Sequence, residues 1–343
     1  MVKWLDGTGL DEDVVVSTRL RLARNLANYR FPNFMNNDEA EAVTNEILNC
    51  MKDNVYEVPY KFYRIRDLSD TERSAFVEDH LISPNLANNL NTGSFLLRND
   101  EKATVMINEE DHIRIQVLLP GLNFEKGWEM ASSIDDSLEG KVEYAYHEKF
   151  GYLTACPTNV GTGLRASVMV HLPCITMTGH INSIIEELTK IGLTVRGIYG
   201  EGTKALGNIF QISNQTTLGE SEEEIIKKLN RVVREIISRE RSTRVYMLDK
   251  RNHQMEDMIY RSYGILKYGR IISSQEAMNH LSNVKLGCDL GVIDYIKSKD
   301  IVKLMIEIQP ANIQRAANRD LTYEERDIYR AELIRKKLSN LEG

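Results

Sequence analysis

Cysteine is scarce in this chain: only four occur among 343 residues, and they lie far apart in the sequence. None of them belongs to a C-x-x-C pair. This spacing argues against a zinc site and against a disulfide framework, so it predicts a reduced, cytoplasmic protein. The four residues are Cys50, Cys156, Cys174 and Cys288.

Long apolar runs and an excess of positive charge are also missing. No stretch approaches the roughly 20 apolar residues of a membrane-spanning helix, and the first letters, M-V-K-W-L-D, lack the apolar core of a signal peptide. The 43 Lys and Arg residues are outnumbered by 50 Asp and Glu residues, for a formal net charge of −7. We therefore expect neither membrane insertion nor direct nucleic-acid binding, although a local basic pocket is compatible with this balance.

What is present is the composition of an ordinary globular protein, with 42% hydrophobic and 27% charged residues. The length allows one large domain and a smaller one. Strand-like runs thin out beyond about residue 250, and helical patterns dominate from there, so we predict two domains, 1–252 and 253–343. An amphipathic helix is predicted from Ser221 to about residue 240, with its arginines and the nearby Arg241 and Arg244 on a solvated face. Further helices are predicted at 255–268, 274–286 and 322–338.

Residues 156–168 have the composition of an anion-binding loop. The stretch begins at Cys156, continues through a turn rich in Pro, Asn and Gly, and reaches Arg165 just before an apolar run. Glycines allow close approaches that side chains would block. Exposed backbone N–H groups and one arginine suit a phosphate. Taken alone, the pattern also fits a tight loop between two strands.

Three further patterns add arginine and glutamate side chains. An apolar run at 14–16 leads into Arg19 and Arg21, which lie on the same side of an extended strand and suit a polyphosphate. The acidic turn N-E-E-D-H at 108–112 separates two apolar strands, and a later strand with an arginine is followed by the glycine-flanked Glu201. Taken singly, these patterns are a solvated strand, a solvated hairpin and a hairpin turn.

Together, and in this order, the four motifs resemble the signatures of the phosphagen (guanidino) kinases, the family that contains creatine and arginine kinase. The motifs are S-x-R-x-R at 17–21, N-E-E-D-H-x-R at 108–114, the loop at 156–168, and the strand and loop at 193–202. The resemblance implies an α+β catalytic domain, a large antiparallel β-sheet flanked by helices as in guanidino kinases and glutamine synthetase, plus an all-α C-terminal domain. It also implies ATP, with Mg²⁺ carried by the nucleotide and no separate metal site.

The resemblance assigns the nucleotide and its phosphates to residues from all four motifs. It adds His80, because the segment around it resembles one whose histidine packs near the nucleotide. Arginines at five positions supply more positive charge than one phosphate needs and suit a nucleoside triphosphate. The expected ATP-binding residues are Ser17, Arg19, Arg21, His80, Arg114, Arg165, Ala166, Ser167, Val168, Met169, Arg196, Gly197, Tyr199 and Gly200.

The acceptor in such a reaction is a guanidinium, which is planar and cationic. It is a poor nucleophile, because its pKa lies above about 12. A carboxylate must orient the guanidinium and take its proton as the N–P bond forms. We expect Glu110 to be the base and Glu201 to orient the acceptor, although the two roles could be exchanged. Cys156 is expected to contact the same guanidinium, and direct transfer needs no covalent intermediate.

The C-terminal region contains the motif R-D-x-x-R-A at 326–331, on a predicted helix that opens with a capping box at Thr322. Arg326 and Arg330 share a helix face, an arrangement that is commonly only a salt-bridge ladder. This motif, and the short segment before Ser17, are nevertheless similar to those of bacterial protein arginine kinases. There the motif binds phosphoarginine and tunes activity, which implies a regulatory site at Arg326, Asp327, Arg330 and Ala331.

We therefore predict a kinase that transfers the γ-phosphate of ATP to arginine side chains of proteins. The alternatives are a kinase of free arginine or another small guanidine, and a non-catalytic adaptor that binds phosphoarginine. The resemblance also implies partners: a second copy of the chain in a homodimer, an activator protein with zinc-binding motifs, and a heat-shock repressor among the substrates. A Clp ATPase and protease would degrade the marked proteins in a stress response.

Overall fold

The computed structural model describes residues 2–52, 57–197 and 205–341. None of the helices in these ranges combines the length and the apolar character that a membrane span requires. The strands are β1 (Val15–Arg24), β2 (Tyr60–Arg64), β3 (Ser94–Arg98), β4 (Ala103–Ile107), β5 (Ile113–Pro120), β6 (Tyr146–His147), β7 (Gly151–Tyr152), β8 (Leu164–His171), β9 (Leu193–Gly197) and β10 (Ile209–Asn214). The helices are α1 (Asn37–Lys52), α2 (Asp70–Glu78), α3 (Pro84–Asn88), α4 (Phe124–Glu139), α5 (Pro173–Met177), α6 (Ile181–Lys190), α7 (Glu222–Tyr268), α8 (Ser274–Asp289), α9 (Ser298–Glu307), α10 (Pro310–Ala317) and α11 (Tyr323–Leu341).

Eight of the strands form one sheet in the order β2-β3-β4-β5-β1-β8-β10-β9. Every neighbouring pair in this sheet is antiparallel. Strands β6 and β7 form a separate two-stranded ribbon. The predicted large antiparallel sheet flanked by helices, followed by a helical C-terminal region, is confirmed.

The two faces of the large sheet differ because side chains alternate along each strand. Leu20 and Leu22 of β1 and Val168 of β8 are buried on one face, which α4 and the first half of α7 cover. On the other face, Leu118 and Met169 lie toward one end of the strands and join a second hydrophobic core with the C-terminal helices. The opposite end of this second face carries the polar side chains described below.

Helix α7 joins the sheet to the C-terminal helices. The predicted helices at 221–240 and 255–268 are parts of this one element, which is helical between them except at Arg251, where φ is −141° and ψ is 36°. A boundary between 252 and 253 therefore lies within α7 and next to this irregular residue. The domain limits stay a prediction.

Two arginines in the middle of α7 are held by ion pairs. Arg244 is only 3% exposed and binds Glu240 at 2.9 Å, so the prediction of a solvated face is wrong for this residue. Arg241 is exposed but binds Asp13 at 2.6 Å. Both arginines reach the segment before β1. Sequence periodicity could not show this contact, because the two segments are far apart in the chain.

Helices α8–α11, which we call the C-terminal layer, pack on the second half of α7 and on each other. Helix α10 also packs against α2 of the N-terminal part of the chain. Apolar side chains of this layer, such as Leu281, Met305 and Ile334, share the second hydrophobic core with Phe95 and Leu118 of the sheet. The C-terminal layer therefore lies on the same face of the sheet as the polar side chains.

Candidate active site

Strand register brings the arginines of four separate motifs onto one face of the sheet. Arg21 of β1 lies opposite Arg165 of β8. Ala23, two residues after Arg21 on β1, lies opposite Arg114 of β5. Residues directly opposite each other in an antiparallel pair project from the same face. We call this surface the arginine face; its five cations are Arg19, Arg21, Arg114, Arg165 and Arg196.

The cations of the arginine face are crowded. Desolvation and the nearby charges of Arg19, Arg114 and Arg165 hold the pKa of Arg21 well below its usual range. The pKa of Arg165 is lowered by burial and by Arg196 and Arg114. The Nε atoms of Arg21 and Arg165 are buried and have no hydrogen-bond partner among the described residues. Like charges crowded in this way favour the binding of an anion.

The two glutamates of the acidic turn have different environments. The Glu109 side chain is fully buried and binds Arg114 at 2.6 Å. It also accepts hydrogen bonds from Ser83 Oγ at 2.5 Å and from the backbone N–H of Glu110 at 3.0 Å. Glu110 is partly exposed, and its charge favours the protonated state of Arg165. None of the described residues donates a hydrogen bond to the Glu110 carboxylate, so it is available to a ligand.

A buried polar cluster ties the acidic turn to the loop that contains Cys156. Asp111 accepts hydrogen bonds from Asn25 Nδ2 at 2.6 Å and from the backbone N–H of Ala155 at 2.7 Å. His112 Nδ1 accepts the backbone N–H of Leu26 at 3.0 Å, and burial lowers the pKa of His112 to about 4, so the ring is neutral. These residues position Glu110 and Cys156 relative to each other. The sequence motifs alone assign these residues no role.

Cys156 stands at the start of a short turn and is partly exposed. Its Sγ lies 3.0 Å from Thr158 Oγ1, and a negative charge on it, like that of Glu110, favours the protonated state of Arg165. The glycines of the loop serve close packing of the chain. Gly161 has φ +113°, and a Cβ there would lie 2.2 Å from the carbonyl oxygen of Thr217. The cysteine, Glu110 and Arg165 thus share one neighbourhood at the edge of the arginine face.

His80 lies beside Arg19 in a left-handed backbone conformation, with φ +62°. Desolvation and the charge of Arg19 lower the pKa of His80 to about 3, so the imidazole is neutral at physiological pH. The carbonyl oxygen of His80 accepts a hydrogen bond from Gln116 Nε2 at 2.9 Å. Gln116 is paired with Arg21 in the sheet register, which places His80 at the margin of the arginine face.

Other predicted residues divide between the two faces of the sheet or lie outside the described ranges. Ser17, Ser167 and Met169 share the face of Arg19, and Gly197 ends β9. Ala166 and Val168 point to the opposite face and are buried in the core, so only their main chain is available to a ligand. Glu201, Tyr199 and Gly200 lie outside the described residues.

In the C-terminal motif, the structure separates the two arginines. Arg330 is 2% exposed, donates to the carbonyl oxygens of Ile308 at 2.9 Å and Ile272 at 3.0 Å, and is ion-paired with the buried Asp327. Arg326 is partly exposed, and its guanidinium carbon lies 5.7 Å from the ring centre of Tyr323. Ala331 is buried. Of the two arginines, Arg326 is the one that a ligand from solvent reaches.

Comparison with known protein families identifies the class of enzyme to which this site belongs. Residues 41–243 match the model of the ATP:guanido phosphotransferase C-terminal catalytic domain, and residues 252–343 match the model of the protein-arginine kinase McsB C-terminal domain. The chain therefore belongs to the ATP:guanido phosphotransferase family. The predicted membership of the phosphagen kinases is confirmed, and the chain is an enzyme that transfers phosphoryl groups.

Relatives that match nearly the whole chain show which members of this class it resembles. A protein-arginine kinase of Desulforamulus reducens is 46% identical over 342 residues, which cover 99% of this chain and 96% of the relative. A protein-arginine kinase of Halalkalibacterium halodurans is 48% identical over 336 residues, covering 98% and 94%. Among solved structures, lombricine kinase matches with a TM-score of 0.60 and 26% identity, over 71% of this chain and 70% of the other. The resemblance to the protein arginine kinases is confirmed.

Proposed function

We propose that this enzyme transfers the γ-phosphoryl group of ATP to the guanidinium of arginine residues in proteins. The observation that carries the proposal is the arginine face, where crowded cations lie beside the available carboxylate of Glu110. The names of the relatives support a protein as the acceptor. The whole-chain match also supports it, because the resemblance covers both the catalytic and the C-terminal part.

The triphosphate of ATP binds the arginine face in this proposal. Arg19, Arg21 and Arg165 come from the two central strands, and Arg114 and Arg196 extend the cationic surface on either side. The buried Nε atoms of Arg21 and Arg165, which lack a described partner, fit phosphate oxygens as acceptors. Mg²⁺ enters with the nucleotide and neutralises part of its charge. Phosphoryl transfer needs little more than this positioning and charge neutralisation.

Glu110 acts on the acceptor. Its carboxylate holds the arginine guanidinium, fixes the reacting nitrogen in line with the γ-phosphorus, and takes the proton as the N–P bond forms. The bond between the γ-phosphorus and the bridging oxygen breaks, and ADP leaves with that oxygen. Cys156, in the same neighbourhood, contacts the acceptor guanidinium as well. We assign the second orienting carboxylate to Glu201.

The test is to incubate the protein with Mg-ATP and an arginine-rich protein and to measure acid-labile phosphate on arginine. We expect Glu110→Gln to lower the transfer rate by about 100-fold or more, as loss of a general base does. Glu129→Gln, at an exposed position of α4, is the matched control and should react like the wild type. Unchanged transfer by Glu110→Gln would contradict the catalytic assignment.

Measurements with free arginine and with phosphoarginine separate the two alternative functions. Phosphorylation of free arginine but not of protein would show a small-guanidine kinase. Binding of phosphoarginine without any ADP production would show a non-catalytic adaptor. The arginine face and the available Glu110 carboxylate support catalysis over the adaptor.

We further propose that the motif at 326–331 binds phosphoarginine and regulates the kinase, with the exposed Arg326 as the ligand contact and Arg330 as its support. The resemblance to protein arginine kinases is the only support for the remaining partners. They are a homodimer, a zinc-motif activator, a heat-shock repressor as substrate, and a Clp ATPase and protease in a cytoplasmic stress response. Pull-down with the purified chain tests each of them directly.

A further inference from the structure

A short segment that begins at the last residue of α2 and ends just before α3 connects the C-terminal layer to the arginine face. We call residues 78–83 the bridging segment. Its first residue, Glu78, accepts the backbone N–H groups of Ala311 at 2.8 Å and Asn312 at 2.8 Å, one on each carboxylate oxygen. These are the first N–H donors of α10, since Pro310 has none. Glu78 therefore caps a helix from a distant part of the chain.

The next residue makes the contact stronger. Asp79 is 4% exposed, accepts from Asn312 Nδ2 at 2.9 Å, and forms an ion pair with Arg315 at 2.8 Å. Its own carbonyl oxygen accepts the indole N–H of the buried Trp4 at 3.0 Å. A buried carboxylate that loses its cation is costly, because the remaining charge is uncompensated. Contacts with α10 and with Trp4 thus hold the start of the bridging segment in place.

The other half of the bridging segment faces the active site. His80 follows Asp79 directly and lies beside Arg19, with its carbonyl oxygen bound to Gln116 in the strand next to Arg21. Ser83 donates to Glu109, which in turn binds Arg114. The bridging segment therefore runs from its contacts with α10 to His80, beside Arg19 of the arginine face. It then reaches the acidic turn that contains Glu110.

Within the C-terminal layer, α10 is in turn held by α11. Arg330 of α11 donates its Nε to the carbonyl oxygen of Ile308, just before α10 begins at Pro310. The helix that Glu78 and Asp79 bind is thus itself held by α11. Because α2 and α10 are packed against each other, burial raises the pKa of Glu78 to about 7, although the two N–H donors lower it.

We infer that Glu78, Asp79 and Arg315 are positioning residues for catalysis: the contact between the bridging segment and α10 holds His80 and Glu109 where Mg-ATP binds. The side-chain hydrogen bonds of Glu78 and Asp79, and the ion pair of Asp79 with Arg315, join the bridging segment to α10 and do not involve the arginine face. The inference rests on the proposed function, because it takes the arginine face to be the nucleotide site. The affinity for the nucleotide then depends on α10, a helix of the C-terminal layer.

The experiment compares Arg315→Met with Arg319→Met in the full-length chain. Arg319 follows shortly after the end of α10, but it pairs only with Glu325 among the described residues, and its side chain is 61% exposed. Affinity for a non-hydrolysable ATP analogue with Mg²⁺ is measured by calorimetry, together with KM for Mg-ATP, kcat and the thermal midpoint. We expect Arg315→Met to weaken nucleotide binding by about fivefold or more. KM should rise more than kcat falls, and Arg319→Met should match the wild type.

Asp79→Asn is the second variant, used also if Arg315→Met does not fold. Its neutral amide removes the ion pair with Arg315 and should weaken nucleotide binding to a similar extent. Combining the two changes should add little further, because both remove the same contact. Unchanged nucleotide affinity in a folded Arg315→Met or Asp79→Asn protein would overturn the inference, as would an equal loss in Arg319→Met. A wild-type protein that binds no Mg-ATP would instead overturn the proposed function, and the inference with it.

Discussion

The arginines inside this protein fall into two groups with opposite surroundings. Arg24 is 1% exposed, binds Asp135 at 2.6 Å and the carbonyl oxygen of Thr162 at 2.9 Å, and lies 3.6 Å from the ring centre of Tyr152. Arg330 is likewise surrounded by a carboxylate and two carbonyl oxygens. Paired arginines of this kind hold distant parts of the chain together.

On the arginine face the surroundings are reversed. Arg21 has three other arginines nearby and Arg165 has two, and the buried Nε atoms of both lack a partner among the described residues. Mutual repulsion there opposes folding and is relieved when an anion binds. Burial of an arginine therefore does not by itself indicate its role. Arg24 and Arg330 are ion-paired, whereas Arg21 and Arg165 have no ion-paired carboxylate among the described residues and are the candidates for ligand binding. Arg114 combines both features, because it belongs to the arginine face and is ion-paired with Glu109.

The largest effect is expected on the arginine face. Arg165→Gln should lower phosphoryl transfer by about 1,000-fold, as loss of a preorganised charge partner of the transition state does. The thermal midpoint should not fall, because a repelling charge is removed. Transfer kinetics and thermal melts are compared with those of Arg231→Gln, an exposed position of α7 that should change neither. A large loss of stability in Arg165→Gln would break the distinction between the two groups.

For the buried arginines that form ion pairs, substitution should lower stability. Arg24→Met leaves the buried Asp135 carboxylate without its cation and should lower the free energy of unfolding by about 3 kcal/mol. Urea denaturation measures this change. The double variant Arg24→Met with Asp135→Leu should recover part of the loss, because no uncompensated charge remains. If Arg24→Met were as stable as the wild type, pairing would not be the role of this arginine.

The C-terminal motif contains one arginine of each kind. Arg330→Ala should lower the free energy of unfolding by about 2 kcal/mol, because it leaves Asp327 and two carbonyl oxygens without a donor. Arg326→Ala should leave stability unchanged and weaken phosphoarginine binding. Thermal melts and calorimetric titration with phosphoarginine separate the two outcomes. Equal loss of stability in both variants would remove the distinction within the motif.

The smallest effect concerns pH. The pKa of His80 is lowered from 6.5, the ordinary value that the unfolded chain keeps, to about 3 in the folded protein. Below about pH 6.5 the unfolded chain therefore binds a proton that the folded protein does not, and stability is lost as the pH falls toward about 3. At about pH 5.5 the loss from this group is about 1 kcal/mol. Melts at about pH 7.5 and about pH 5.5 should show a smaller decrease for His80→Gln than for the wild type. The exposed His147→Gln should behave like the wild type, and an equal decrease in all three proteins would contradict this role of His80.

Local patterns predicted much of the fold. Alternation along β1 places Arg19 and Arg21 on one side, and the apolar runs at 94–97 and 103–107 lie within β3 and β4. The helix that begins after Ser221 has the expected capping box. These features depend on residues close together in the chain, so the periodicity of side chains is sufficient to find them.

The family motifs located the candidate site, but they did not show how its parts are held. Asn25 and Asp111 are 86 positions apart, and their hydrogen bond aligns the acidic turn with the loop of Cys156. The adjacent Glu109 and Glu110 have the same side chain, and only the fold makes one a buried partner of Arg114 and leaves the other available. No pattern within either segment contains this information.

Spacing within short segments is sufficient to predict the class of fold, the family and the set of candidate residues. The surroundings of each arginine depend on the tertiary structure. Strand order crowds five arginines onto one face, while Arg24, Arg244 and Arg330 each also contact a carboxylate or carbonyl oxygen of another element. The free energy of a buried charge depends on the groups that surround it in space, and these come from distant parts of the chain.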